Sequence, residues 1–300
     1  RRTCALDVDQ PASAWAPQPG KRHTPPMPEL PEVETIRRQL EPSLVGASIV
    51  ESWAFPSAKF DDAPAAVGTT VERVSRRGKY LLIALERDDM FDAELVVHLG
   101  MTGRVAVTPP LIDGAPPTHP HLRAWWALDD GRVLTFHDAR RFGRIAVVAP
   151  GDYGTMPTLA ALGPEPTDPE FTAETLRLSI NGGRRRVKTA LLSQRPVAGV
   201  SNIYADEALW RSGIDPRSRR LTRAGAARLR DAIQDVLQEG IDHGGTTLRD
   251  YVDADGVAGT NQHHLDCYGR AGAPCNRCGT TMKGVVLDGR STTWCPNCQR

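Results

Sequence analysis

No stretch of the 300 residues approaches the ~20 consecutive apolar side chains of a membrane-spanning helix, which excludes an ordinary transmembrane span. The first 26 residues also lack the apolar core of a secretion signal. Net charge is small, at +1, but it conceals a split. Residues 1–183 hold 19 Lys and Arg against 24 Asp and Glu, a net of −5, while residues 184–300 hold 18 against 12, a net of +6. A basic second half is the footprint of a polyanion binder, though +6 alone also suits a solvated surface. Cysteine is sparse, six in all, and four of the six crowd the last 26 residues.

Those four, Cys275, Cys278, Cys295 and Cys298, form a C-x2-C-x16-C-x2-C pattern inside the window for a four-thiolate zinc site. Between the pairs, Lys283–Leu287 and Ser291–Trp294 read as two short strands joined at Asp288-Gly289, a dipeptide suited to positive φ. The pattern predicts a metal-clamped β-hairpin with Arg290 just past its tip. Two disulfides are the alternative, and they would need an oxidising compartment.

The other informative stretch is Met27-Pro28-Glu29-Leu30-Pro31-Glu32. Met27 is the only methionine in the first 89 residues, and we read it as the initiator. Its removal would leave Pro28 as a terminal secondary amine, with a pKa near ~7.7–8.0 rather than the ~10.4 of a lysine. Such an amine beside an acid, Glu29, can attack an aldehyde-like carbon and form a charged iminium, a strong electron sink. The plainer reading is that both prolines punctuate a helix start. Residues 1–26, rich in Pro and Ala and without periodicity, are expected to be disordered and absent from the working protein; a transit peptide is the runner-up.

From Pro31 a helix is expected, with Val33, Ile36 and Leu40 on one face and an end at Pro42 and Gly46. Eight strand-like runs follow, at 47–53, 70–75, 79–85, 94–98, 104–107, 123–128, 132–137 and 144–148, the pattern of a sandwich. The proline-rich 157–169 segment reads as a linker. Helices are expected at 171–180, 187–193, 202–212 and 221–242. The fold class is therefore α+β. The domains are 27–157, a β-sandwich flanked by a helix; 158–266, helical; and 267–300, the finger.

Met27 to Glu34, Arg76-Arg77-Gly78-Lys79-Tyr80, His98-Leu99-Gly100-Met101, Arg140-Arg141-Phe142-Gly143, Asn202-Ile203-Tyr204-Ala205 and the cysteine finger occur in one order. Together they resemble the formamidopyrimidine-DNA glycosylase and endonuclease VIII family, closest to the formamidopyrimidine branch. The resemblance implies a helix–two-turns–helix domain and one structural zinc, with no organic cofactor. It also implies a cytoplasmic monomer acting on double-stranded DNA with damaged bases or abasic sites.

The resemblance also implies a role for each of these residues. Pro28 is the nucleophile on the deoxyribose C1′ and Glu29 the general acid/base. Lys79 contacts phosphate and assists β-elimination, and Arg290 grips phosphates and assists δ-elimination. Met101, Arg140 and Phe142 fill the gap left by an everted nucleotide, and His119, Asn202 and Arg184 contact the DNA backbone. Cys275, Cys278, Cys295 and Cys298 hold the zinc. Alone, several of these have plainer readings: a solvated Lys79 and Arg290, a core Met101 and Phe142. The pair His119 and His121 would suggest a metal only with a third ligand, and none stands nearby in sequence.

Two departures stand out. The family's lesion-capping loop carries Gly-Tyr-Phe where this chain has Gly259-Thr260-Asn261, which argues for ring-opened purines over 8-oxoguanine. Ser201 replaces a glycine before Asn202, a restriction if that backbone needs positive φ. Cys267 reads as structural. The implied activity is excision of oxidised or ring-opened purines with β,δ-elimination. An endonuclease VIII-like pyrimidine glycosylase is the alternative, or a non-catalytic damage binder if Pro28 stays inside the chain.

Overall fold

The computed structural model describes residues 27–87, 92–110, 117–249 and 251–300. The expected disordered extension at 1–26, with Cys4, lies outside the described residues.

Helix α1 (Leu30–Leu44) opens with Pro31 in its first turn and Glu32 near the positive end of its dipole. It runs through Pro42 rather than stopping there: a proline in the last turn gives up one backbone hydrogen bond, while Leu40 and Leu44 on either side stay buried. Eight antiparallel strands follow: β1 (Ser48–Ala54), β2 (Thr69–Arg77), β3 (Tyr80–Glu86), β4 (Ala93–His98), β5 (Gly103–Thr108), β6 (Leu122–Leu128), β7 (Val133–Asp138) and β8 (Arg144–Val148). They form one continuous sheet in the order β5-β7-β6-β1-β2-β3-β4-β8. Its two halves close on a single core. Phe136 of β7, Trp126 of β6, Ile83 of β3 and Ile145 of β8 share it with Val33, Ile36, Leu40 and Leu44 of α1. The α+β expectation holds, with the sandwich built from one bent sheet.

The segment expected to be a linker is packed structure. Its short helix α2 (Pro157–Ala160) follows Met156, and Met156 and Leu159 bury against Tyr80, Leu82, Val96 and Ala146 on the opposite sheet face. Glu165 then accepts from Arg76, Arg77 and the Gly78 N–H. That turn-rich stretch fastens the β2–β3 hairpin to the second half of the chain.

The helical part comprises α3 (Ala173–Asn181), α4 (Val187–Leu192), α5 (Asn202–Ser212) and α6 (Arg223–Asp242). Thr172 caps α3 and Thr222 caps α6 through their hydroxyls, and Gly213 ends α5 in the left-handed conformation. Leu30 of α1 belongs to this second core, beside Val200 and Ile203. A Cβ at Gly199, where φ is +82°, would overlap the Leu30 side chain, so only glycine permits this docking. The finger strands β9 (Lys283–Leu287) and β10 (Arg290–Trp294) meet through Asp288 and Gly289, both at positive φ.

Candidate active site

Pro28 and Glu29 sit where α1 meets the start of α5. Glu29 is the N-cap residue of α1, in a capping box with Glu32, and its side chain also reaches the start of α5. Its carboxylate accepts from the backbone N–H groups of Ser201 (2.7 Å) and Ile203 (2.8 Å), at the positive end of the α5 dipole. Glu29 is 1% exposed. Burial pushes its carboxyl above the ordinary range, against the pull of the Lys79 ammonium, and the nearby Glu32 pushes the same way. Proton affinity is thus raised in the carboxyl of the residue that directly follows Pro28.

Glu32 carries a second buried carboxylate, one that sequence reasoning did not single out. It accepts from the Glu29 N–H (2.8 Å), the Thr246 N–H (2.6 Å) and the Tyr204 hydroxyl (2.9 Å). A pocket beside Pro28 is lined by Met101, Glu32, Ile203, Thr246, Leu248, Arg249 and Tyr251. The only sequence signal for Glu32 and Tyr204 was their place inside the two motifs.

Lys79 is not on a strand, as the 79–85 run suggested, but in the two-residue turn between Arg77 and Tyr80. Gly78 precedes it at φ +56°. Lys79 is 3% exposed, so the solvated reading fails. Burial pushes its amine below the ordinary lysine range; Glu29 opposes this, and the charge of Arg290 adds to it. Glu29, Lys79 and Arg290 therefore stand in one electrostatic neighbourhood, though 261 residues of sequence separate the first from the last. Arg290 opens β10 and is exposed.

Met101 lies in the β4–β5 connection and residues 140–142 in the β7–β8 connection, and the two connections pack against each other at Gly100. A Cβ at Gly100 would overlap the backbone of Phe142 and Gly143. Phe142 is 50% exposed, with the Arg140 guanidinium 4.9 Å and the Lys59 amine 5.9 Å from its ring centroid. Lys59 also donates to the Arg141 carbonyl (2.7 Å), where φ is +56°.

His119 is exposed, with its ring against His137 (4.9 Å) and His121 (5.4 Å). Among the described residues the four cysteines are the one cluster with metal-binding geometry, so the histidines form none. Arg184 is exposed, but Lys188, grouped with it in the sequence, is fully buried and paired with Asp206. Asn202 begins α5 and donates to the Ser291 hydroxyl (3.2 Å) on the finger. Ser201 has φ −135°, an extended backbone open to any residue, so its replacement of glycine carries no strain.

The Asn261 departure falls elsewhere than expected. Asn261 is buried, bonded to the Thr246 hydroxyl (2.8 Å) and facing His243. It supports the residues behind the pocket and does not line it.

The four finger sulfurs lie within 4.8 Å of one another, with Cys275–Cys298 at 4.0 Å and Cys278–Cys295 at 3.5 Å. Tetrahedral Zn–S bonds of about 2.3 Å require S···S separations of about 3.8 Å, so the donor set fits one zinc and leaves no open position. Cys267 lies outside the set, buried, with its thiol directed at the Thr293 carbonyl (3.0 Å).

Three family models match in order. They are the formamidopyrimidine-DNA glycosylase N-terminal domain over residues 27–145, the H2TH domain over 162–252, and the zinc finger found in FPG and IleRS over 272–300. The chain belongs to the formamidopyrimidine-DNA glycosylase family. It is 46% identical over 283 residues to the formamidopyrimidine-DNA glycosylase of Deinococcus radiodurans, covering 91% of this chain and 97% of the relative. Among solved structures it is similar to the MutM (FPG) protein of Thermus thermophilus, with a TM-score of 0.81 and 43% identity over 91% and 98% of the two chains. It is also similar to the Lactococcus lactis Fpg in complex with an abasic-site-containing DNA, with a TM-score of 0.78 and 33% identity over 91% and 99%. As in this glycosylase family, the finger holds one structural zinc. Among the described residues no helix is long and apolar enough to cross a membrane.

Proposed function

We propose that the chain is a DNA repair glycosylase and abasic-site lyase in which Pro28, as a free terminal amine, attacks C1′ of a damaged purine nucleotide. The nitrogen lone pair forms the N–C1′ bond. The glycosidic bond breaks, and the base leaves with that electron pair and a proton. Sugar opening gives an iminium, loss of a C2′ proton expels the 3′ phosphate, and loss of the C4′ proton expels the 5′ phosphate. The observation that carries this reading is Glu29: a buried carboxyl of raised proton affinity, held by two backbone N–H groups, on the residue that directly follows Pro28. Lys79, its amine lowered by burial, is the neighbouring base and phosphate contact.

In this reading residues 27–157 carry the chemistry, while 158–266 and the 267–300 finger grip the backbone through Arg184, Asn202 and Arg290. His119 contacts the backbone on the other side, and Met101, Arg140 and Phe142 fill the vacated stack, offsetting part of the few kcal/mol that eversion costs. Damaged or abasic double-stranded DNA is the partner. A bacterial cytoplasm is the setting, where thiolates stay reduced.

Glu29→Gln tests this directly. It should lower single-turnover base excision by about 10²–10⁴-fold. Nicking of a preformed abasic site should fall less, since C1′ there is already an aldehyde and has no base to release. Excision within threefold of the parent protein would remove Glu29 from the mechanism.

A further inference from the structure

We propose that Lys188 and Asp206 are a buried positioning pair that aims Arg290 at the DNA phosphates. This rests on the phosphate-gripping role given above to Arg290. The two side chains are each 1% exposed, with Nζ and Oδ1 at 2.7 Å. Both reach beyond their own helices to the finger. Lys188 Nζ donates to the Ser291 carbonyl (2.8 Å) and the Thr292 hydroxyl (2.9 Å), and Asp206 Oδ2 accepts from the Thr293 N–H (3.0 Å). The three residues that follow Arg290 are therefore held one after another by a single pair.

The other side of Arg290 is held by the same short helix. Asp288 accepts from the Thr189 hydroxyl and pairs with Arg186 at 3.2 Å. Helix α4 thus brackets Arg290, anchoring the turn before it and the strand after it. Between the anchors Arg290 stays exposed, with its charge felt at Lys79. A buried ion pair adds little net stability, because desolvation offsets the attraction; two apolar side chains could hold the finger as firmly. What an apolar pair could not do is fix the register of β10 through three directed hydrogen bonds. That argues for aim rather than adhesion.

The test uses the full zinc-loaded protein, freed at Pro28, with a duplex carrying a tetrahydrofuran abasic analogue, titrated across a range of salt. The double variant K188M/D206N leaves no unpaired buried charge and should keep one zinc per chain. It should bind about tenfold more weakly. Its log K against log salt slope should flatten by about 0.9, the loss of one phosphate contact. R290A should do the same, and adding R290A to K188M/D206N should cost less than about twofold more, because both remove one interaction. Additive losses, or parental binding by K188M/D206N, would overturn the inference. Should K188M/D206N lose zinc, T292V removes the hydroxyl that accepts from Lys188 and donates to the Arg290 carbonyl, without touching either charge. It should weaken binding by a smaller factor and again combine non-additively with R290A, and additivity there overturns the inference equally. Parental binding by R290A alone would instead sink the phosphate role of Arg290, and this inference with it.

Discussion

The Glu29 carboxylate takes its hydrogen bond from the backbone N–H of Ile203, 174 residues further along the chain, at 2.8 Å. The residue that follows Pro28 is thus held by the first turn of a helix in the other half of the molecule. Leu30, directly after it, packs into that half's core and donates from its own N–H to the Gly199 carbonyl. Glu29, Leu30 and the start of α5 are thus tied together at one corner, so in the proposed mechanism the acid is already held in place before DNA binds.

Metal removal should separate the finger from the rest. Cys295→Ser leaves three thiolates and should abolish zinc retention and tight DNA binding. The sheet core around Trp126, Phe136 and Ile83 shares no residue with the finger cluster of Trp210, Met282 and the cysteines. Far-UV circular dichroism and Trp fluorescence should therefore report a folded sheet in the zinc-free variant. A variant that keeps one zinc per chain, or binds DNA like the parent, would contradict this.

All eight strands and the helix at Asn202–Ser212 were legible in the sequence, because alternating apolar residues and Gly or Pro punctuation encode local structure directly. The finger was legible for a different reason: four ligands at fixed spacing leave few geometries. What could not be read was tertiary. Pro157–Ala160 carries linker-like residues but buries Leu159 against Tyr80. Lys188 reads as one more surface cation after three arginines, yet it is the most buried of them. Glu32, Tyr204 and Asn261 owe their importance to a shared hydrogen-bond network around Thr246, which no periodicity announces.

Phe142→Ala should leave stability within about 0.5 kcal/mol, since the ring is half exposed. It should slow excision of ring-opened purine and 8-oxoguanine alike, by about tenfold, because the ring would replace stacking lost from the duplex and does not read the base. Single-turnover rates on matched duplexes decide it. A loss confined to one lesion would mean that Phe142 contacts the base.

His98 supplies a pH signature in the free protein. Its ring packs on Tyr80 at 4.5 Å, and burial, with the Lys79 charge behind it, pushes its pKa down to about 4 from the ordinary 6.5. The folded state therefore binds fewer protons than the unfolded state between these values. The contribution to stability is present above about pH 6.5 and is lost as pH falls toward 4. Urea midpoints at about pH 7.5 and about pH 5.5 should differ more for the parent than for His98→Asn. Equal losses would mean that the imidazole titrates normally.

The most direct test of the central claim is borohydride trapping on abasic DNA, comparing the chain that begins at Pro28 after removal of Met27 with the verified, uncleaved chain that begins at Arg1. Inside a chain the proline nitrogen is a tertiary amide without a basic lone pair, so it cannot form the iminium. The shorter chain should form a covalent crosslink that maps to Pro28, and the longer chain should bind the same duplex without crosslinking. Efficient trapping by the intact longer chain, or a crosslink mapped to Lys79 in the shorter one, would contradict the mechanism.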